Sequence, residues 1–251
     1  MNASLDAMHD IASEPLARLI ARDRALRTLG HDDPPFAATL ARLRRWQGAR
    51  LAATYADLAA QPRYAPAIAF FLEELYGDVD VSPRDHDLER AHRALEKALP
   101  DAAIEALRRA IALEVLTQEL DAEVARRLPQ ARAITGRDYA ESYRAAGSRE
   151  FREQQIDWIV GLGDAIETLV RTPGLGLLVK LARRPAHAAG FGALHEFLER
   201  GYRAFHQMHG AGEFLGIVRT REWALLERLY AGEPDPFAGL PLNGTAAGGV
   251  P

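Results

Sequence analysis

The stretch FFLEELYGDVDVSPRDHDLERAH, Phe70 to His92, decides how the rest of the chain is read. Its run of Asp, His, Asp, Glu and His invites a metal site, yet its spacing is that of one helix ending and another beginning. Ile68, Phe71, Leu72 and Leu75 fall at i, i+3, i+4 and i+7, which makes one apolar stripe, and Phe70 widens it. Glu73 and Glu74 lie off that stripe and are expected at the surface, because charged side chains are seldom fully buried. Gly77 is placed to end the helix in a left-handed conformation. Ser82 then reads as an N-cap, Pro83 as the first helical residue and Asp85 as the third, a capping box with Asp in place of Glu or Gln. Asp85 and Asp87 also sit where the helix dipole favours negative charge.

His92 lies on an apolar seam with Leu88, Leu95 and Leu99. A histidine there is more often a core residue bonded to a backbone carbonyl than a ligand. The functional reading uses Glu89, since Glu89-x-x-His92 is the i, i+3 pair found in carboxylate-bridged di-iron bundles. Those bundles use the pair twice, and this sequence has it once.

Working outward, nearly every segment has helical spacing and none alternates like a strand. Upstream are PLARLIARDRALRTL, a break at GHDDPP, and the arginine-rich FAATLARLRRWQGARLAATYADLAA, ended by Pro62. Downstream, RDHDLERAHRALEKAL stops at Pro100 and DAAIEALRRAIALEVLTQELDAEVARRL at Pro129. Thr135 is placed to cap the next helix, Gly147 to end it, and Ser148 to cap the one after. The last helices are GLGLLVKLARR, FGALHEFLERGYRAFHQMHG and GEFLGIVRTREWALLERLYAG. Short connections between amphipathic helices imply antiparallel neighbours. The expected architecture is an all-α, single multi-helix bundle of about eight to ten helices over residues 1–231, with a flexible C-terminal tail over 232–251.

The helix from Phe191 carries a second pattern. Leu194, Leu198, Gly201, Phe205 and Met208 are its expected core seam. One position over, His195, Glu199, Tyr202, His206 and His209 share a face. Imidazole and carboxylate donors at i, i+4 suit zinc or non-haem iron. His195, Glu199 and His206 are therefore the candidate ligands, with His92 and Glu89 as contributors from another helix. The bland reading is a polar stripe at the rim of the core. A single histidine, His92 or His195, would also serve as the axial ligand of a haem.

Other motifs stay bland. Neither Gly161–Gly163 nor Gly174–Gly176 follows a strand or completes a nucleotide-binding fingerprint. No Gly-x-Ser-x-Gly elbow occurs. The basic stretch Arg42–Arg50, with Trp46 inside it, reads as a solvated helix face or a contact for an acidic partner. Residues 174–194 are rich in Ala, Gly and Leu around Arg183 and Arg184; buried packing is expected, with a partner or membrane-surface patch as the alternative.

Composition narrows the classes further. The 251 residues are 48% hydrophobic and 26% charged, ordinary for a globular chain. The formal net charge of −4 lacks the basic excess of a nucleic-acid binder. Cysteine is absent, which excludes disulfides, a thiol nucleophile and Cys-ligated metal centres. No segment reads as a secretory leader or a membrane span, so a cytoplasmic location is expected.

The motif residues resemble a family of uncharacterised bacterial proteins marked by Phe-Phe…Leu-Tyr-Gly, then Arg-Asp and a later Leu-Pro. The matching positions are Phe70, Phe71, Leu75, Tyr76, Gly77, Arg84, Asp85, Leu99 and Pro100. The resemblance extends over residues 61–232 and departs at Val81, where the family often has an aromatic. It implies a bacterial all-α domain and transfers no catalytic residue. The function expected from the sequence is a non-catalytic module that binds a protein partner or a small ligand, with a homo-oligomer as one arrangement and no cofactor. The alternative is an iron-, zinc- or haem-dependent protein, such as an oxidase, built on His195, Glu199 and His206.

Overall fold

The computed structural model describes residues 8, 10–76, 82–130 and 132–239, and among these described residues apolar stripes and capping residues mark out eleven α-helices. A 3-10 turn at Ile11–Ser13 precedes α1 (Leu16–Arg27). Then come α2 (Pro34–Thr54), α3 (Ala56–Ala59), α4 (Ala65–Tyr76), α5 (Ser82–Ala98) and α6 (Asp101–Ala125). The second half holds α7 (Gly136–Ala145), α8 (Arg149–Val170), α9 (Leu175–Ala188), α10 (Gly192–Gln207) and α11 (Gly212–Ala231). No strand occurs among the described residues, and the all-α bundle expected from helical spacing is what forms. The eleventh helix arises because the long arginine-rich segment is split. Tyr55 leaves helical geometry at φ −113°, ψ 17°, and its hydroxyl donates to Glu222 Oε1 at 2.8 Å.

Local chemistry sets the boundaries. Asp33 accepts from Phe36 N–H at 3.1 Å, with Pro34 and Pro35 opening α2 where no N–H is needed. Thr135 and Asp138 form a reciprocal capping box on α7, and Gly147 closes that region at φ +67°. Ser148 behaves differently from expectation: its hydroxyl donates to the Ala146 carbonyl and caps nothing. Gly77 lies outside the described residues, as do the side chains of Ser82, Pro83 and Asp85, so the capping box read there does too.

The 25-residue α6 is the axis of the bundle, because α1, α2 and α8 all pack on it. Val115, Leu116 and Leu120 are buried against Leu19 of α1 and Phe151 of α8. The C-terminal end of α6 meets Leu43, Tyr139, Tyr143, Ile156 and Leu229. Polar residues of the same helix are hydrogen-bonded in the interior through part of their capacity, with Gln118 Oε1 and, from α2, Gln47 Oε1 buried without a partner. Gln118 donates to Asp23 at 2.6 Å, and Gln47 donates to Asp121 at 2.8 Å. Arg152, 5% exposed, donates to the Leu120 carbonyl and lies over the Tyr143 ring. The basic stretch Arg42–Arg50 mostly turns inward rather than facing solvent. Trp46 stacks on Tyr139 at 4.3 Å, and Arg50 is buried against Glu222 at 2.6 Å.

A second apolar layer joins α4, α10 and the start of α11 through Tyr64, Ile68, Phe205, Met208 and Phe214. Leu88 and Ala91 of α5 join Leu194 of α10 to Leu16 and Ile20 of α1. The segment after Gly232 does not leave the fold at once. Phe237 is 3% exposed and meets Trp46 and Tyr139 edge-on, and Arg228 binds Glu233 and the Asp235 carbonyl. Residues 240–251, the rest of the expected flexible tail, lie outside the described residues.

Candidate functional site

The motif of α4 and α5 converges on α10. Phe70 meets Phe197 at 5.4 Å, and its ring fills the space where a Cβ on Gly201 would sit. Phe71 packs on Phe205 and Phe214. Arg84 lies over the Phe197 ring at 4.7 Å and donates to Glu74 at 3.3 Å. Arg200 donates to the other oxygen of Glu74. Glu73 is exposed as expected, but Glu74 is 8% exposed because two guanidiniums from neighbouring helices neutralise it there. Asp87 has a role on another helix. Its Oδ2 accepts from Ala193 N–H at 3.1 Å and Leu194 N–H at 3.3 Å, so α5 supplies the N-terminal cap of α10. The α4–α5 motif is thus a clasp that fixes the position and axis of α10.

The clasped helix turns its polar stripe toward α9. His195 is 6% exposed, and its Nε2 lies 2.8 Å from the Val179 carbonyl of α9. A carbonyl only accepts, so Nε2 carries the hydrogen and Nδ1 the lone pair. That Nδ1 is buried and has no hydrogen-bond partner. Tyr202 presses its hydroxyl onto Gly176, which has no side chain to obstruct it. Near the turn, His187 covers Gly192, and its ring lies 6.2 Å from that of His195. Glu199, half-buried, stands on the same face between His195 and Tyr202. His206 is exposed and stacks on Tyr202 at 5.5 Å, with His209 beyond it. The His195 and Tyr202 part of the stripe is the seat of α9.

The other two metal candidates are on α5. His92 Nδ1 donates to the Glu89 carbonyl at 2.7 Å, the backbone-bonded arrangement expected of a histidine on an apolar seam. The Glu89 carboxylate pairs with Arg24 at 2.6 Å. Among the described residues, no group of three or more His, Asp or Glu is placed to hold one ion. His195 and Tyr202 of the stripe take part in a helix–helix contact with α9, and His206 lies exposed beyond it.

The outer side of that contact is unlike the rest of the surface. No residue of α9 is buried. Leu175, Val179, Ala182 and Ala186 form its inner, half-buried face. Leu177 is 61% exposed, Leu178 50% and Leu181 65%, against the expectation that this segment packs inward. Leu198 of α10 is 40% exposed, although its spacing places it on the core seam. It lies between the His195 and Tyr202 contacts, one turn from each. Lys180, Arg183 and Arg184 are exposed beside the leucines and have no ion-pair partner among the described residues, where most arginines are paired with carboxylates. Spacing alone could have found much of this face, since Leu177 and Leu181 stand away from Val179 and Ala182 on a helical wheel, with Leu178 at the edge between the two sides. A single amphipathic helix does not reveal which of two apolar edges faces its neighbour.

No helix among the described residues is long and apolar enough to cross a membrane. The family whose profile matches residues 26–236 is described as a domain of unknown function, DUF8198. No curated protein and no solved structure matches the chain.

Proposed function

Because the chain belongs to the DUF8198 family, whose description carries no activity, we propose from its own geometry that it is a non-catalytic interaction module whose binding face is the outer side of α9. The observation that carries this reading is the exposure of Leu177, Leu178 and Leu181 beside three unpaired cations. Fully burying one leucine side chain is worth about 1.5–3 kcal/mol. Three adjacent leucines left half or more exposed are therefore a large reserve for association. The interior supports the same reading. Its charged groups are paired in a scaffold that fixes α10, and α10 in turn presents α9. The test is photo-crosslinking in cells from a benzophenone side chain at position 178, with position 137 on the exposed part of α7 as control. A defined adduct at 178, lost in a Leu177→Asp/Leu181→Asp variant that melts normally, is expected. Equal yields at 178 and 137 would overturn the reading.

A second reading rests on the buried, unpartnered Nδ1 of His195. It supplies a lone pair for iron, zinc or a haem, with Glu199 and His206 on the same face and His92 and Glu89 as contributors from α5. This reading requires stoichiometric metal or a Soret band in the purified protein, lost in His195→Ala. Elemental analysis and an absorption spectrum decide it; we expect neither signal.

A further inference from the structure

We propose that α9 is a membrane-surface helix that lies flat in the interface of an anionic lipid bilayer; this rests on the α9 interaction face described above. The arrangement of the face points to its occupant. Leu177, Leu178 and Leu181 lie at i, i+1 and i+4, with exposed Pro185 and Ala188 continuing the same side to the end of the helix. Lys180, Arg183 and Arg184 lie at i, i+3 and i+4 along one flank. An apolar arc with long cationic side chains at its edge suits a boundary between acyl chains and phosphates, where the stems extend along the apolar surface and the charged heads reach the headgroups.

Three further observations favour a lipid surface over a protein groove or a second copy. Among the described residues, α9 is an outboard ridge that packs mainly on α10, with a smaller contact to α8. A plane contacts such a ridge along its whole length without needing a complementary cleft. A second copy would bring the same unpaired cations together, and the segment 174–190 contains no acidic residue to answer them. Finally, the chain as a whole carries −4, so attraction to an anionic surface cannot be diffuse. It has to come from a local cationic patch, which also fixes the orientation in which the molecule lands.

The absence of cysteine makes the test clean. Leu178→Cys and, as control, Arg137→Cys are each labelled with an environment-sensitive nitrobenzoxadiazole dye. Each is titrated with vesicles of phosphatidylcholine alone or with about one third phosphatidylserine. Expected at position 178 is a blue-shifted, brighter emission with anionic vesicles, at least about tenfold tighter than with neutral ones and reversed by high salt. Position 137 should not respond. Lys180→Glu/Arg183→Glu/Arg184→Glu in the labelled protein should abolish the preference for anionic vesicles. All three side chains are exposed, so this variant is expected to fold; an unchanged circular dichroism melt confirms it. No response at 178, or an equal response to neutral vesicles or in the charge-reversed variant, overturns the proposal. If the dye stays silent while the cellular crosslink at 178 yields a protein adduct, the lipid inference fails and the interaction module stands. If both are silent, both fail.

Discussion

Asp87 shows how much of this fold depends on single side chains acting across helices. Its carboxylate satisfies two N–H groups at the start of α10 while being only 7% exposed. Asp87→Ala removes the cap and is expected to cost about 1–2 kcal/mol in urea denaturation, whereas Asp87→Asn, which also caps, should retain most of the stability. Glu74→Ala is a harsher change. It removes the buried acceptor shared by Arg84 and Arg200, and losing charge-assisted hydrogen bonds of that kind costs about 1.5–3 kcal/mol. Neither role was legible in the sequence, for one reason. The spacing on α4 places Glu74 off that helix's own stripe, but Arg84 and Arg200 arrive from α5 and α10. Periodicity describes one helix at a time, and the environment of a charge is made by the others. Thr135 was legible because both partners of its capping box lie within four residues.

At the scale of elements, α9 is the least anchored helix of the second half. Its inner face is half-buried, and its specific ties to α10 include the His195 bond, the Tyr202–Gly176 and His187–Gly192 contacts and the approach of His187 to Glu196 at 3.6 Å. Such an element opens locally at low free energy. His195→Ala deletes one hydrogen bond, worth about 1 kcal/mol. Amide exchange in α9 should then accelerate by about fivefold, while α6 stays protected. Uniform acceleration across the molecule would show instead that His195 supports the global fold. The polar stripe of α10 was visible from spacing alone, and so was its place beside the core. Its partner was not, because imidazole, carboxylate and phenol at these intervals suit an ion and a helix backbone equally well.

Across the whole molecule, helix count and order follow from breaks the sequence displays, mainly proline and glycine. The departure in helix count, at Tyr55, coincides with a bond to Glu222 that no local pattern signals. The distribution of charge in this bundle has a consequence for its acid response. Three carboxylates near the surface are held low: Asp57 by Arg221, Glu105 by Arg108 and Arg109, and Asp138 by Arg132, each at about 2. Their stabilisation is complete above the ordinary carboxylate range and is lost as pH falls through it toward 2. Three carboxylates inside the bundle go the other way. Burial raises Glu114, Glu119 and Asp121, with Arg27, Arg22 and Arg152 respectively opposing it in part. The folded state holds those protons more tightly than the unfolded chain, so stability falls as pH rises from the ordinary carboxylate range to their elevated values. The two sets bracket a maximum that lies above the range where the surface carboxylates take up protons and below the elevated values of the interior ones. Urea midpoints measured from pH 2 to 8 should rise and then decline, and Asp121→Asn should flatten the decline on the higher-pH side. A midpoint that climbs steadily to pH 8 would mean that the interior carboxylates are ionised throughout and fully compensated by Arg27, Arg22 and Arg152.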